Sequence, residues 1–320
     1  MQAIRVTRHG GPEVLTPTEV DPPEPGPGEV LVRLAAVGVN FIDTYHRTGL
    51  YARPLPFTPG SEGAGTVEAV GPGVTAPTVG DRVASSDLAG AYAELAVAPA
   101  ARVVPLPDAV DDHTGAAALL QGMTAHYLLH DSYPVRPGDT VLVHAAAGGM
   151  GLLLTQLATR LGARVIGTAS TPEKAELARR AGAEEVVGYD GVVARVRELT
   201  GGAGVAAVYD GVGRATFDDS LASLCRRGVL VLYGQASGPV APFDPARLAA
   251  GGSLVLTRPS LGDFVATDAD FARRAGDVLR WVADGALRLR IGGRYPLAQA
   301  DRAHADLHDR RTTGKLLLVP

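Results

Sequence analysis

TVLVHAAAGGMG, residues 140–151, decides how the rest of the chain is read. Thr140 to Val143 form a short apolar run with too little alternation for a half-exposed strand, which predicts a buried one. Leu152, Leu153, Leu157 and Leu161 then recur at helical spacing, and Gly162 is placed to end the helix. Between strand and helix, Ala146-x-Gly148-x-x-Gly151 fits the dinucleotide fingerprint G-x-G-x-x-G with alanine at the first position. In that reading Gly148 lets a pyrophosphate approach the backbone and Gly151 lets helix pack on strand. The unpaired N–H groups of the helix start face the anion. The string alone also fits an ordinary glycine-rich turn; the strand before it and the helix after it are what favour a dinucleotide.

The flanking sequence continues the pattern. Arg164 to Thr168 and Pro172 to Arg180 read as the next strand and helix, with Ser170 or Thr171 as cap and Gly182 as stop. Glu185 to Gly188, Val205 to Tyr209 and Val229 to Tyr233 give three more strands, separated by helices around Val192 to Leu199 and Thr216 to Leu224. This alternation predicts an α/β fold with a doubly wound parallel sheet. From Met1 to about Val104, short Val, Leu and Ala runs at 29–36, 65–70 and 92–97 are separated by turns such as PPEPGPGE, VGPGV and VGDRV, which predicts a β-rich, barrel-like unit. A helix is expected around Asp111 to Ser132. After Ala266 the chain reads as a long helix ending near Gly285, a helix around Gln299 to Asp309 and a terminal strand, Leu316 to Val319. The expected organisation is a first domain over residues 1–122, a nucleotide-binding domain over 123–265 and a return to the first domain over 266–320.

Composition sets limits on function. A chain of 320 residues exceeds one domain of roughly 150 residues and has room for two cores. With 46% hydrophobic and 20% charged residues and a formal charge of -4, it offers no basic field for nucleic acid or anionic lipid. The single cysteine, Cys225, can form neither an internal disulfide nor a multi-cysteine zinc site. The start, MQAIRVTRHGG, lacks an apolar export signal, so a cytoplasmic location is expected. No apolar run reaches the roughly 18 residues of a membrane span.

The fingerprint together with NFIDTY (40–45), GSEGAG (60–65), LQGMTA (120–125), YDGVG (209–213), TRPSL (257–261) and RRTTG (310–314) resembles the zinc-free, zeta-crystallin-like quinone oxidoreductases of the medium-chain dehydrogenase/reductase superfamily. The resemblance runs over essentially the whole chain. It implies a GroES-like catalytic domain split around a Rossmann domain, NADPH-dependent reduction of quinones or related electrophilic carbonyls, and a homodimer. Zinc members of the superfamily place a Cys near Asn40, a His followed by Glu near Ser61-Glu62, and often four closely spaced cysteines. Asn40 and Ser61 are poor zinc ligands, and His46, His126, His130 and His144 have no ligand spacing, so no metal is expected.

The choice of nucleotide turns on the end of the second strand. An NAD site places an acid about 20 residues past the glycines, where its charge repels a 2′-phosphate. Thr168-Ala-Ser-Thr-Pro-Glu-Lys174 has no acid at that strand end and offers the hydroxyls of Ser170 and Thr171, helix-start N–H groups and the Lys174 ammonium, which favours NADPH. Glu173 is an uncomfortable neighbour for a phosphate. The resemblance adds Tyr189 and Arg310 to this cradle, although Arg311 could take the place of Arg310. The alternative readings are a solvated helix charge for Lys174 and a half-buried aromatic for Tyr189. Other cofactor contacts are expected from strand-end loops, at Val212 and at Tyr233, Gly234, Gln235 and Ala236. The resemblance gives Pro259, Ser260 and Leu261 to the nicotinamide half, and places Tyr127, Gly149 and Met150 beside the pyrophosphate and ribose. Each of those three also reads as plain packing.

Hydride transfer asks the protein for orientation and electrostatics, since the nicotinamide carries the difficult step. A reduced quinone oxyanion can be protonated by water, in keeping with the lack of an obvious acid–base dyad. Asn40, Asp43 and Tyr45 lie on what reads as the loop that presents the metal ligand in zinc relatives. Asn40 and Tyr45 are expected to line the nicotinamide and substrate cavity and donate hydrogen bonds to the quinone oxygen, with Asp43 orienting the loop or serving only as a local turn or cap. Gln121 and Thr124 are expected to border the same cleft. Two other functions fit the same residues: a zinc-free enoyl or enone reductase, and a non-enzymatic NADPH-binding structural protein.

Overall fold

A computed structural model describes all residues from 1 to 320. The chain divides into two compact units, Met1–Met123 with Val265–Pro320, and Thr124–Phe264. In chain order the strands are β1 (Gln2–Arg5), β2 (Thr16–Glu19), β3 (Glu29–Val39), β4 (Gly63–Val70), β5 (Arg82–Ser85), β6 (Leu95–Pro99), β7 (Val104–Pro105), β8 (Thr140–Val143), β9 (Arg164–Thr168), β10 (Glu185–Val187), β11 (Val205–Asp210), β12 (Leu224–Leu232), β13 (Val255–Thr257), β14 (Ile291–Pro296) and β15 (Lys315–Val319). The helices are α1 (Phe41–Thr48), α2 (Asp112–Tyr127), α3 (Gly149–Arg160), α4 (Pro172–Arg180), α5 (Val192–Leu199), α6 (Phe217–Ser223), α7 (Ala246–Ala250), α8 (Leu261–Phe264), α9 (Asp268–Ala283) and α10 (Ala300–His308).

The second unit is a six-stranded sheet in the order β10-β9-β8-β11-β12-β13, parallel throughout. Order reverses between β8 and β11, the position where a doubly wound sheet binds its ligand. β8 is paired on both sides, with Leu142 opposite Ile166 of β9 and Val208 of β11. That position explains its lack of alternation, because Val141, Leu142 and Val143 are all fully buried. Val196, Phe217 and Leu221 from the helices complete this core. α3 starts at Gly149 with Gly148 as its N-cap, and Gly162, at φ +85°, follows its end. Of the two candidate caps for α4, Thr171 is the one used: its side chain accepts the Lys174 N–H. β12 is longer than the apolar run 229–233. It begins at Leu224 and passes an irregularity before Val229, with Arg227 at φ +62°; the polar CRRG segment at 225–228 hides this start.

In the first unit one sheet runs β14-β15-β3-β4-β5-β7, with β6 also paired to β3, and β1 and β2 form a separate antiparallel pair. β3 is the hub. Its C-terminal half extends beyond the apolar run 29–36 because Val37 to Val39 pair with Leu318 to Leu316 of β15. Ile4, Val30, Val32, Val67, Val83, Leu316 and Leu318 share the core beneath it. Full burial of such side chains contributes roughly 1.5–3 kcal/mol each before entropy is set against it.

The segment read as a loop at 40–45 is helical. Asn40 is the N-cap of α1, its N–H donates to Asp43 Oδ2 at 2.8 Å, and Gly49, at φ +79°, ends the helix. The Asn-x-x-Asp spacing is a capping-box pattern with Asp in place of Glu. No helix of the chain is long and apolar enough to cross a membrane.

Candidate active site

The C-terminal ends of β8, β9 and β11 are stitched together by a buried polar chain. Asp210 Oδ1 accepts the N–H groups of Val212 and Gly213 at 2.8 and 3.0 Å, and Asp210 Oδ2 accepts the hydroxyl of Ser220 at 2.8 Å. Because Ser220 Oγ donates to Asp210, the His144 proton is assigned to Nε2, which donates to Ser220 Oγ at 3.0 Å. His144 Nδ1 then accepts from Thr168 Oγ1 at 3.2 Å, and that oxygen accepts the Ala145 N–H at 3.0 Å. Burial pushes the His144 imidazole below its ordinary range, in keeping with this neutral form. His144 is thus a packing histidine of a specific kind: it holds the glycine loop, with Ala145 at φ +50°, over the strand ends.

The loop leaves room for a dinucleotide where the fingerprint places it. A Cβ on Gly151 would stand 2.3 Å from Ala145 O and 2.6 Å from Ala146 Cα, so helix and strand meet at a distance only glycine allows. On Gly148 it would meet only Ala145 O, at 3.2 Å. Gly149 and Met150, in the first turn of α3, are half-buried. Beside the end of β9 lies a cavity of about 220 Å³ lined by Ala169, Ser170, Thr171, Ala175, Val187 and neighbours, with no carboxylate among its lining residues. Ser170 is exposed and Lys174 half-buried. Thr171 is more committed than the sequence suggested, because its hydroxyl also holds the exposed Glu173 carboxyl below the usual carboxylate range. Ser170 lines this cavity, and Lys174 follows in the first turn of α4. Tyr189 is half-buried with its ring nearly parallel to that of His144, centroids 6.2 Å apart. Arg310, in the first unit, is exposed at φ +57°, and Arg311 pairs with Asp306 and Asp309.

Val212 is buried, and Tyr233, Gly234, Gln235 and Ala236 follow β12 half-buried. A Cβ on Gly234 would lie 2.6 Å from Gly211 O, so these two strand-end loops touch through their backbones. Pro259 is buried, Ser260 exposed, and Leu261 opens α8. Of the two readings of Tyr127, beside the nucleotide or plain packing, its 2% exposure and the ring stacked on Phe264 at 4.1 Å favour packing. It packs the interior. The glycine cradle, the helix start and the acid-free strand end together fit a phosphorylated dinucleotide.

In the first unit Asn40, Glu62 and Lys315 form a cluster the sequence did not reveal. Lys315 Nζ donates to Asn40 Oδ1 and to Glu62 Oε2, each at 2.5 Å, with Lys315 2% and Glu62 0% exposed. Glu62 Oε1 accepts the Leu120 N–H at 2.7 Å, and Asn40 Nδ2 donates to Glu62 Oε2 at 2.9 Å and to Gly38 O at 3.4 Å. Both amide hydrogens of Asn40 therefore point inward, which corrects the expectation that it donates to a substrate oxygen. Gln121 Nε2 approaches Asn40 Oδ1 at 3.5 Å, and Thr124 lies one turn further along α2. Both are half-buried, as is Tyr45, whose ring meets Tyr51 edge-on at 5.3 Å.

Where zinc relatives place their ligands this chain has an ammonium holding an amide and a carboxylate, and no group of three or more His, Cys, Asp or Glu could hold a metal ion. The donor set does not fit zinc. His126 and His130 lie ring against ring at 4.5 Å on successive turns, again without a third ligand.

Asp43, 2% exposed, accepts the hydroxyl of Tyr92 at 3.1 Å, and Tyr92 in turn meets His304 Nε2 at 2.8 Å. Burial pushes the Asp43 carboxyl up to about 6, against the opposing pull of the Asn40 N–H and Lys315. Burial, aided by Arg47, pushes His304 down to about 3 from 6.5. A base depressed in the fold contributes stability that is full above its unfolded pKa and lost as pH falls toward the folded one. The raised Asp43 has the opposite slope, losing its contribution as pH rises through about 6. Comparing wild type with His304→Gln isolates the histidine. Wild type should lose about 3 kcal/mol relative to the variant between about pH 6.5 and 4, read from urea midpoints at each pH. A pH-independent difference would rule this out.

Lys315 and Glu62 could have been suspected from a charge at the head of the apolar run KLLLV and from an acid amid small residues in GSEGAG. Their pairing joins residues 253 apart, and Tyr92 to His304 joins residues 212 apart, so no local pattern signals either contact.

The chain matches the family model for the alcohol dehydrogenase GroES-like domain over residues 26–108 and that for zinc-binding dehydrogenase over residues 149–275. It is 48% identical to a quinone oxidoreductase of Pseudomonas aeruginosa over 99% of both chains. It is 41% identical to a 2-haloacrylate reductase of a Burkholderia species over 100% of this chain and 99% of the relative. Among solved structures, a mycobacterial protein in complex with NADPH superposes with a TM-score of 0.98 at 56% identity, over 100% of each chain.

Proposed function

We propose, from the premise that this chain belongs to the quinone oxidoreductase family of the medium-chain dehydrogenase/reductase superfamily, that it is a zinc-independent NADPH:quinone oxidoreductase. The observation that carries the nucleotide choice is the strand-end cavity, lined by Ser170 and Thr171 and by no carboxylate. NADPH supplies the hydride when bound. The start of α3 holds the pyrophosphate, and Ser170 and Lys174 hold the 2′-phosphate, joined by Tyr189. Val212, the segment Tyr233 to Ala236 and the segment Pro259 to Leu261 border the nicotinamide half. On the acceptor side Tyr45 and Gln121 offer donors to the substrate oxygen and Thr124 borders them, while Asn40 and Asp43 shape that wall from behind.

Lys174→Ala should raise the KM for NADPH about tenfold and leave that for NADH within about twofold, the loss of one charge-assisted contact. Equal effects on both nucleotides would remove Lys174 from the phosphate site. The activity itself is tested by NADPH oxidation with a panel of quinones, enones and 2-haloacrylates. Similarity to the 2-haloacrylate reductase favours, as a second reading, reduction of an activated C=C bond. Turnover confined to the alkenes would select that reading, and turnover with neither class at intact NADPH affinity would refute both.

A homodimer in the cytoplasm completes the proposal. β13 is the last strand of its sheet, with Val255 49% exposed, and such an edge needs a cover that a second copy can supply. Half-buried Cys225, unpaired in the fold, accords with a reducing compartment.

A further inference from the structure

We infer that the buried Glu62–Lys315 ion pair is a positioning device for the acceptor side of the site, locking the Asn40 carboxamide in one orientation so that its oxygen anchors the half-exposed Gln121 amide. The inference rests on the functional reading above for the identity of the acceptor. Turning the Asn40 amide over would set Nδ2 against the Lys315 ammonium and Oδ1 against the Glu62 carboxylate, so a single orientation survives. The strand is shaped around this arrangement: a Cβ on Gly38 would stand 2.4 Å from Glu62 Oε2 and 2.6 Å from Ala116 O. Glu62 also grips α2 at the Leu120 N–H, the residue before Gln121. One carboxylate thus sets both the amide that receives Gln121 and the backbone that carries it.

Stability alone does not account for the pair. Two charges at 0% and 2% exposure are expensive to desolvate, and well-packed neutral residues commonly serve a fold as well or better. What neutral residues would not keep is the direction of Asn40. Lys315 and Glu62 are positioning residues; neither is placed to touch the acceptor.

Lys315→Met alone strands a buried carboxylate, so the test uses Glu62→Gln with Lys315→Met, alone and combined with Gln121→Ala, in the NADPH-loaded enzyme. The paired variant should bind NADPH within about twofold of wild type and lose roughly tenfold in kcat/KM for a quinone, a modest share of the roughly 100-fold that a 1 Å misplacement can remove. Gln121→Ala should lose a similar factor, and the triple variant should fall within about twofold of either, because the three residues act through one contact. The side-chain amide resonance of Gln121, read by ¹⁵N NMR without turnover, should move in the paired variant. Multiplying losses, an unmoved resonance, or lowered thermal stability with unchanged kcat/KM would each overturn the inference. A wild type that reduces no quinone or activated alkene would instead overturn the functional reading, and the resonance would still decide the positioning.

Discussion

Gly151→Ala should weaken NADPH binding by about 100-fold and destabilise the second unit by about 3 kcal/mol. The added methyl would meet Ala145 O at 2.3 Å, Ala146 Cα at 2.6 Å and Ala146 C at 2.8 Å, all backbone atoms with no flexible end to swing aside. The strain can be relieved only by moving the start of α3 off β8. That movement carries away the N–H groups on which a pyrophosphate would rest, at about 1.5–3 kcal/mol for each charge-assisted bond. Gly148→Ala is the control for stability: its methyl would meet a single protein atom at 3.2 Å, which a few tenths of an ångström would accommodate, whereas a side chain there would crowd the pyrophosphate directly. Calorimetry and NADPH fluorescence titration on both variants read the contrast. Equal stabilities for the two, or undiminished NADPH affinity in Gly151→Ala, would refute the proposed role of the Gly151 contact.

Lys315→Met should cost the first unit about 4 kcal/mol, the range found when one partner of a buried pair is removed. Glu62 would be left fully buried, with the neutral donors of Asn40 and Leu120 as its remaining partners. Adding Glu62→Gln should return most of that loss, because two neutral side chains of similar size no longer require a counter-charge. Urea unfolding of the single and double variants measures this directly. A single variant as stable as wild type would mean that the ammonium does not compensate the carboxylate.

The parts of this protein that were legible in its sequence are those whose physics is local. Residues 140–151 declare strand, turn and helix through apolar spacing and glycines, and the neighbouring elements repeat at the interval a parallel sheet demands. The absence of an acid after β9 was likewise a matter of a few consecutive residues. What escaped was set by pairing at a distance. The cap of α1 is the local exception: a turn or cap role for Asp43 was open in the sequence, and its carboxylate reaches back three residues to the Asn40 N–H. The inward turn of the Asn40 amide depends on Lys315, 275 positions away. His144 looked unremarkable until Thr168 and Ser220 were brought to its two nitrogens.

The pairing of β3 with β15 also bears on how the protein comes into being. During synthesis from the N-terminus, Thr124–Phe264 can close its own sheet as soon as it is made, whereas Val37 to Val39 must wait for the last residues of the chain. Glu62 waits with them for its counter-charge, Lys315. A nascent chain halted a few residues short would therefore carry a closed second sheet and a first sheet still missing β15.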